Sequence, residues 1–378
     1  MIYRSIHGVI FFGIVGISAL AAAENNCVEA ARLVKQGIAR SDGSAEEEKA
    51  YRDAVAACPQ MSEAHYNLGV LLFKQKNLSG AEGEFRRAIE IKSDPAFHLA
   101  LAGVKLELGE LDSALEGYEK VLRDDPRNDR AAQGAAVVLD KRGKSAEALG
   151  VLQKATEIEK PSALAFYNLA VMHEKQGQPE QAAGAYSRAM EIDPQFPDPF
   201  FFGGLLFDRL GRAPESLRAL ARAAELRPER GDIQGALGVV AEKNGDLDRA
   251  ALAFKKVVAL KPDDVAALVN LGVVLIHKRQ EAQAEATLDR AVSIEPSNPR
   301  ALSALGWAQL ELGKFDEAEA NLKKAIERDA ANAQAHNNLG VLYERIGKRS
   351  DAEKMFKTAA KLDPSLDTAG VNLEKLER

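Results

Sequence analysis

Ala114, Ala148, Ala182, Ser216, Ala250, Ala284, Ala318 and Ala352 stand 34 residues apart, and Ala81 falls one residue short of the same spacing. A small residue returning at that interval, with other landmarks at fixed offsets, restricts the chain to one helical hairpin copied along its length. Seven residues later comes a second small or β-branched residue, as at Ala88, Val121, Ala155, Ala189, Val257 and Ala359. Five further on a proline often closes the unit: Pro126, Pro194, Pro228, Pro262, Pro296 and Pro364. Each hairpin covers its neighbour's apolar face, so an array of this kind buries one continuous core. It leaves no room for a separate catalytic domain and works by presenting a surface to a partner.

The net charge of −6 is modest and spread along the chain. Phosphate binding needs clustered Lys and Arg, so nucleic acid is not the expected partner. At the N-terminus, Arg4 and His7 precede the apolar run VIFFGIVGISAL and then Ala21-Ala22-Ala23. A positive flank, a short apolar stretch and small residues before a cleavage point are the marks of a secretory signal peptide over 1–23. The run is shorter than the ~20 apolar residues that cross a bilayer core. Cleavage before Glu24 gives an exported periplasmic or secreted protein; an uncleaved segment would leave it anchored to the membrane. Asn25 and Asn26 before Cys27 are the wrong context for lipid attachment.

Cys27 and Cys58 are the only cysteines. If Val28–Ile38 and Glu46–Ala57 pair as antiparallel helices, both thiols lie at the same end of one hairpin. In an exported protein this favours a disulfide. Two buried thiols, or a metal pair lacking further ligands, are the alternatives.

Within one copy, Leu164, Phe166, Leu169, Ala170 and His173 recur with helical spacing and bury one face. Gly177 ends that helix, as Gly109, Gly143, Gly211, Gly245, Gly313 and Gly347 do in theirs, because glycine enters the left-handed C′ conformation at little cost. A second helix carries Ala182, Ala185, Tyr186 and Ala189 until Pro194 stops it. The block FYNLAVMHEKQG, followed by the spaced Ala, Tyr and IDP, resembles a tetratricopeptide repeat. So do HYNLGVLLFKQ, LVNLGVVLIHK and HNNLGVLYERIG. The resemblance covers nine repeats over 62–365, after a degraded hairpin at 24–61 that has Val34-Lys35 where Leu-Gly is usual. A capping helix at 366–378 follows. It implies an all-α fold, a right-handed superhelical α-solenoid of helix-turn-helix repeats whose first helices line a concave face.

No chemistry is evident. His65, His98 and His336 share a slot where the family packs an aromatic, and they are expected in the core with His173. None forms a metal-ligand pair, and Gly143-Lys144-Ser145 is a turn between helices rather than a phosphate loop. No catalytic residue, metal or cofactor is expected.

In the family, the asparagine of the YNLG block points into the concave surface, a position held here by Asn67, Asn168, Asn270 and Asn338. Amides there would pair the backbone of an extended peptide, or else meet only water. Three residues on, Val70, Val137, Val171, Leu205, Val239, Val273, Trp307 and Val341 form an apolar floor edged by mixed charges. A clamp for a C-terminal carboxylate is not supported, because Tyr66, Leu99, Tyr167, Phe201 and Val269 stand where its lysine would be. The binding centre is placed around Tyr167, Asn168, Val171, Phe201, Phe202 and Leu205, with Phe200 and Phe207 in the core. The alternative packs these phenylalanines into the proline-rich junction 194–199. The expected function is a non-catalytic scaffold for a protein or peptide, serving envelope, secretion or surface-polymer assembly. A second reading makes it an accessory subunit that docks through its convex face. The repeat pattern specifies no oligomeric state.

Overall fold

The structure is a computed structural model that describes residues 25–377, so the expected signal peptide lies outside the described residues. Among the described residues every regular element is an α-helix, and the helices form ten consecutive pairs with one more helix after them. The pairs are α1/α2 (Asn25–Arg40, Ala45–Ala57), α3/α4 (Ser62–Lys74, Leu78–Ile91), α5/α6 (Pro95–Glu107, Leu111–Asp124), α7/α8 (Asp129–Lys141, Ser145–Thr156) and α9/α10 (Ala163–Lys175, Pro179–Ile192). They continue as α11/α12 (Pro197–Arg209, Ala213–Leu226), α13/α14 (Gly231–Lys243, Leu247–Leu260), α15/α16 (Val265–His277, Glu281–Ile294), α17/α18 (Pro299–Glu311, Phe315–Arg328) and α19/α20 (Ala333–Arg345, Arg349–Leu362), before α21 (Asp367–Glu377). The all-α, paired-helix architecture read from the spacing is therefore observed.

The chain divides into two compact units after Pro199, inside α11 and without any break in the repeat spacing. Odd-numbered helices are the first of each pair. Several start on a side chain that accepts a backbone N–H, including Asp94, Asn128, Ser162, Asp264 and Asn332. They end in a left-handed turn, with φ of 79° at Gly109 and 76° at Gly245. The turn survives where the glycine is missing: Lys76 and Arg279 hold the same slot at φ 64° and 57°. The rest of the repeat dictates the turn there, against the local preference of those two residues.

Close approach within a pair sets the second constraint. Gly69, Gly204, Gly238, Gly272, Gly306 and Gly340 each face a large residue sixteen positions on, among them Phe85, Phe254, Leu288 and Phe356. A Cβ on Gly272 would sit 2.4 Å from the Leu288 side chain, so any larger residue there requires Leu288 to shift. The first hairpin obeys the same rule in another register. Gly37 faces Tyr51, where a Cβ would lie 2.5 Å from the ring. Val34-Lys35 stands where Leu-Gly is usual, and the close crossing lies two residues beyond Lys35.

Cys27 and Cys58 form a disulfide across the first hairpin. It joins the start of α1 to the residue after α2, as the antiparallel reading required. Among the described residues no helix is long and apolar enough to cross a membrane.

Candidate functional site

The slot three residues beyond the YNLG asparagine behaves differently from its neighbours. In the unit beginning at Phe200, Leu205, Val273, Trp307 and Val341 are half-buried and Val239 is 50% exposed. In the preceding unit Val137 and Val171 are half-buried, while Val70 is covered at 5% exposure. Seven first helices thus each leave one apolar side chain partly open to solvent in this slot.

Part of this first-helix face forms a pocket of about 550 Å³ bounded by α15, α17, α19 and α21. Val269, Val273, Trp307 and Val341 supply its apolar surface, and Arg300, Ser303, Asn337, Asn338 and Asn372 its polar surface. The Trp307 ring meets the His277 ring edge-on, with centroids 5.2 Å apart. Gln334 donates to Asn338 Oδ1 at 2.8 Å within α19, and Asn372 of α21 donates to Asn337 Oδ1 of α19 at 3.1 Å. Arg300 donates to Asn270 Oδ1 at 3.3 Å. At the rim, Glu311 receives Arg345 at 2.7 Å and Arg279 at 3.3 Å. Two groups there titrate abnormally because they are half-buried. Desolvation holds the His277 imidazolium below the usual histidine range. It also pushes the Glu242 carboxyl up, with Arg300 opposing the shift. Ser303 Oγ and Asn338 Nδ2 are buried without a hydrogen-bond partner.

The sequence-derived residues fare unevenly. Trp307 and Asn338 are brought together in the pocket, and Asn270 stands beside it through Arg300. The proposed asparagine ladder requires correction. Asn67, Asn168 and Asn338 are only 2%, 4% and 4% exposed, so their amides lie between helices and do not line an open groove. The other copies carry Ala100, Gly134, Phe202, Ala236 and Ala304 in that slot, where Phe202, Ala236 and Asn270 are half-buried.

The aromatic centre is also corrected. Tyr167 is buried against Tyr186 and Phe196, with ring centroids 6.0 and 5.4 Å away. Phe201 is buried among Leu220, Ile233 and Leu237, with the Arg230 guanidinium 5.3 Å from its ring. Phe200, assigned to the core, is half-buried instead. Only Val171, Phe202 and Leu205 keep partial exposure, and Val171 belongs to one compact unit while the other two belong to the next.

His65, His173 and His336 are buried as expected, but His98, expected in the core, is half-buried with its Nε2 3.1 Å from Ser93 Oγ. His65 is buried, with Nδ1 2.6 Å from Glu84 and Nε2 3.1 Å from the Pro59 carbonyl. His173 pairs with Gln178 at 2.6 Å. Among the described residues no group of three His, Cys, Asp or Glu is arranged to hold a metal ion. Sequence reasoning missed Arg300 and Asn372. Asn372 was legible, since it stands 34 residues after Asn338 and makes α21 the first helix of a further copy. Arg300 carries no periodic signal.

Solved structures share the likeness at low identity. A peptide-binding-site TPR protein, YrrB, is 24% identical over 51% of this chain and 99% of its own, with a TM-score of 0.39. MamA from Desulfovibrio magneticus RS-1 is 25% identical over 45% of this chain and 97% of its own, at 0.40. The C-terminal part of a TPR repeat-containing protein from Cytophaga hutchinsonii is 17% identical over 63% and 98%, at 0.46. No curated protein matches the sequence. A tetratricopeptide repeat model matches residues 48–96, 99–163, 203–265 and 303–367, which together make up more than half of the chain. Two further tetratricopeptide models match 163–196 and 241–308. With the matches spanning more than half of its length, the chain belongs to the tetratricopeptide repeat family.

Proposed function

We propose that this protein is a non-catalytic scaffold that holds a protein or peptide along its first-helix face, with the pocket around Trp307 as the main contact. The carrying observation is that pocket: an apolar floor and a half-buried tryptophan in one concavity. Aromatic anchors in such settings dominate binding energy. Val273→Glu combined with Trp307→Ala should abolish capture of the partner in the native host, while the melting curve stays close to wild type. A second reading, docking through the second-helix face, has one observation in its favour: Leu252 of α14 is 58% exposed. Loss of capture in Leu252→Glu, with the groove variant unaffected, would replace the first reading by the second.

The scaffold acts outside the cytoplasm, in envelope, secretion or surface-polymer assembly. The run VIFFGIVGISAL before Ala21-Ala22-Ala23 supports export, and the Cys27–Cys58 disulfide suits an oxidising compartment. Intact mass of the native protein should correspond to a chain starting at Glu24. A mass retaining residues 1–23 in the membrane fraction contradicts export as a soluble protein.

A further inference from the structure

Along one edge of the first-helix face the repeats are joined by ion pairs that follow the repeat spacing. The acid of one copy meets the base 35 residues later. Asp140 pairs with Lys175 in one unit, and Asp208 pairs with Lys243 at 2.9 Å in the other. The next rung would join Glu242 to position 277. There the base is His277, whose Nδ1 lies 4.0 Å from the Glu242 carboxylate, too far for a hydrogen bond. Most nearby cations are hydrogen-bonded elsewhere: Lys243 to Asp208, Lys278 to Asp248, Arg279 and Arg345 to Glu311. Arg300 donates to Asn270 and acts on Glu242 only through its charge. The rung therefore holds a half-buried carboxylate with no hydrogen-bonded cation, beside a histidine that Trp307 meets edge-on.

We infer that the opening beside Glu242, His277 and Trp307 receives a basic side chain, lysine or arginine, from the bound partner. This deepens the first-helix-face reading and rests on it. The two groups are the chemistry a cation seeks. The carboxylate supplies the missing opposite charge, and a tryptophan face attracts ammonium and guanidinium groups more strongly than other aromatic rings do. The partner thereby completes a ladder that the protein completes by itself at Lys175 and Lys243. Partial burial raises the value of both interactions above that of an exposed ion pair. Acid weakens the site from both sides. Burial holds His277 neutral until the pH falls below the usual histidine range, and its protonation then places a competing cation in the opening. Glu242, whose carboxyl is pushed up by burial, loses its charge earlier on acidification than an exposed glutamate does.

Trp307 is the chain's single tryptophan, so its fluorescence reports the site directly. The full-length mature protein is titrated at neutral pH with N-acetyl-Val-Ala-Val-Lys-Val-Ala-amide and with the same peptide carrying Gln in place of Lys. The lysine peptide should change the fluorescence saturably, and the glutamine peptide should bind at least about tenfold more weakly, as expected for a partly desolvated cation–aromatic contact. His277→Lys, which fills the rung, should weaken the lysine peptide by a similar factor without lowering the melting temperature. Glu242→Gln should do the same. Equal binding of the two peptides, no binding of either, or unchanged lysine binding in His277→Lys overturns the inference. Partner capture that remains sensitive to Val273→Glu in those cases leaves the first-helix-face reading standing.

Discussion

Phe201→Ala is expected to lower stability by about 3–5 kcal/mol, the usual cost of emptying a buried phenylalanine site. The ring is 8% exposed and packs on Leu220, Ile233 and Leu237, so truncation leaves a cavity that the surrounding helices fill only in part. Chemical denaturation of the variant should show an earlier transition for the unit beginning at Phe200. Phe202→Ala, at the half-buried neighbour, should cost less. Equal stability of Phe201→Ala and wild type would mean that the ring faces solvent or a ligand. That was the sequence-based expectation, and the structure replaces it.

Serine at Cys27 and Cys58 is the second large change. The bond closes a loop of 31 residues at the start of the described chain. Constraining a loop of that size stabilises the folded state by about 3–4 kcal/mol on the chain-entropy model. The loss should stay local, because repeats couple mainly to their nearest neighbours. Hydrogen exchange should accelerate across α1 and α2 while α13 to α20 keep their protection. Two thiols titrating freely in the denatured, unreduced wild-type protein would remove the premise.

The fold was legible because the repeat writes each constraint several times. Glycine at 109, 143, 177, 211, 245, 313 and 347 points to one turn, and the structure reproduces it even at Lys76 and Arg279. One irregular copy escaped: the first hairpin keeps its close crossing through Gly37, displaced from the slot where the glycine was sought. The site was legible only in part. Exposure depends on how much of a slot the next helix covers, and a residue's type does not state that. Phe201 and Tyr167 share a slot with Tyr66, which is 1% exposed against Phe85 and Phe97. Large apolar residues recurring in one slot of one helix face are filling the space between neighbouring helices. Val273 and Trp307, three residues beyond the asparagine slot, stay partly open because that slot turns away from the second helix. His277 drew no attention as a lone histidine near a helix end. Its meaning lies in the comparison with Lys175 and Lys243, which needs the observed ion pairs.

The central claim is that the first-helix face carries the partner. A photo-crosslinking amino acid placed at Val273 in one variant and at Leu252 in another, each expressed in the native host, tests it most directly. Both positions have exposed surface, on opposite members of their helix pairs. The account predicts a discrete protein adduct from Val273 and none from Leu252. An adduct from Leu252 alone would contradict it.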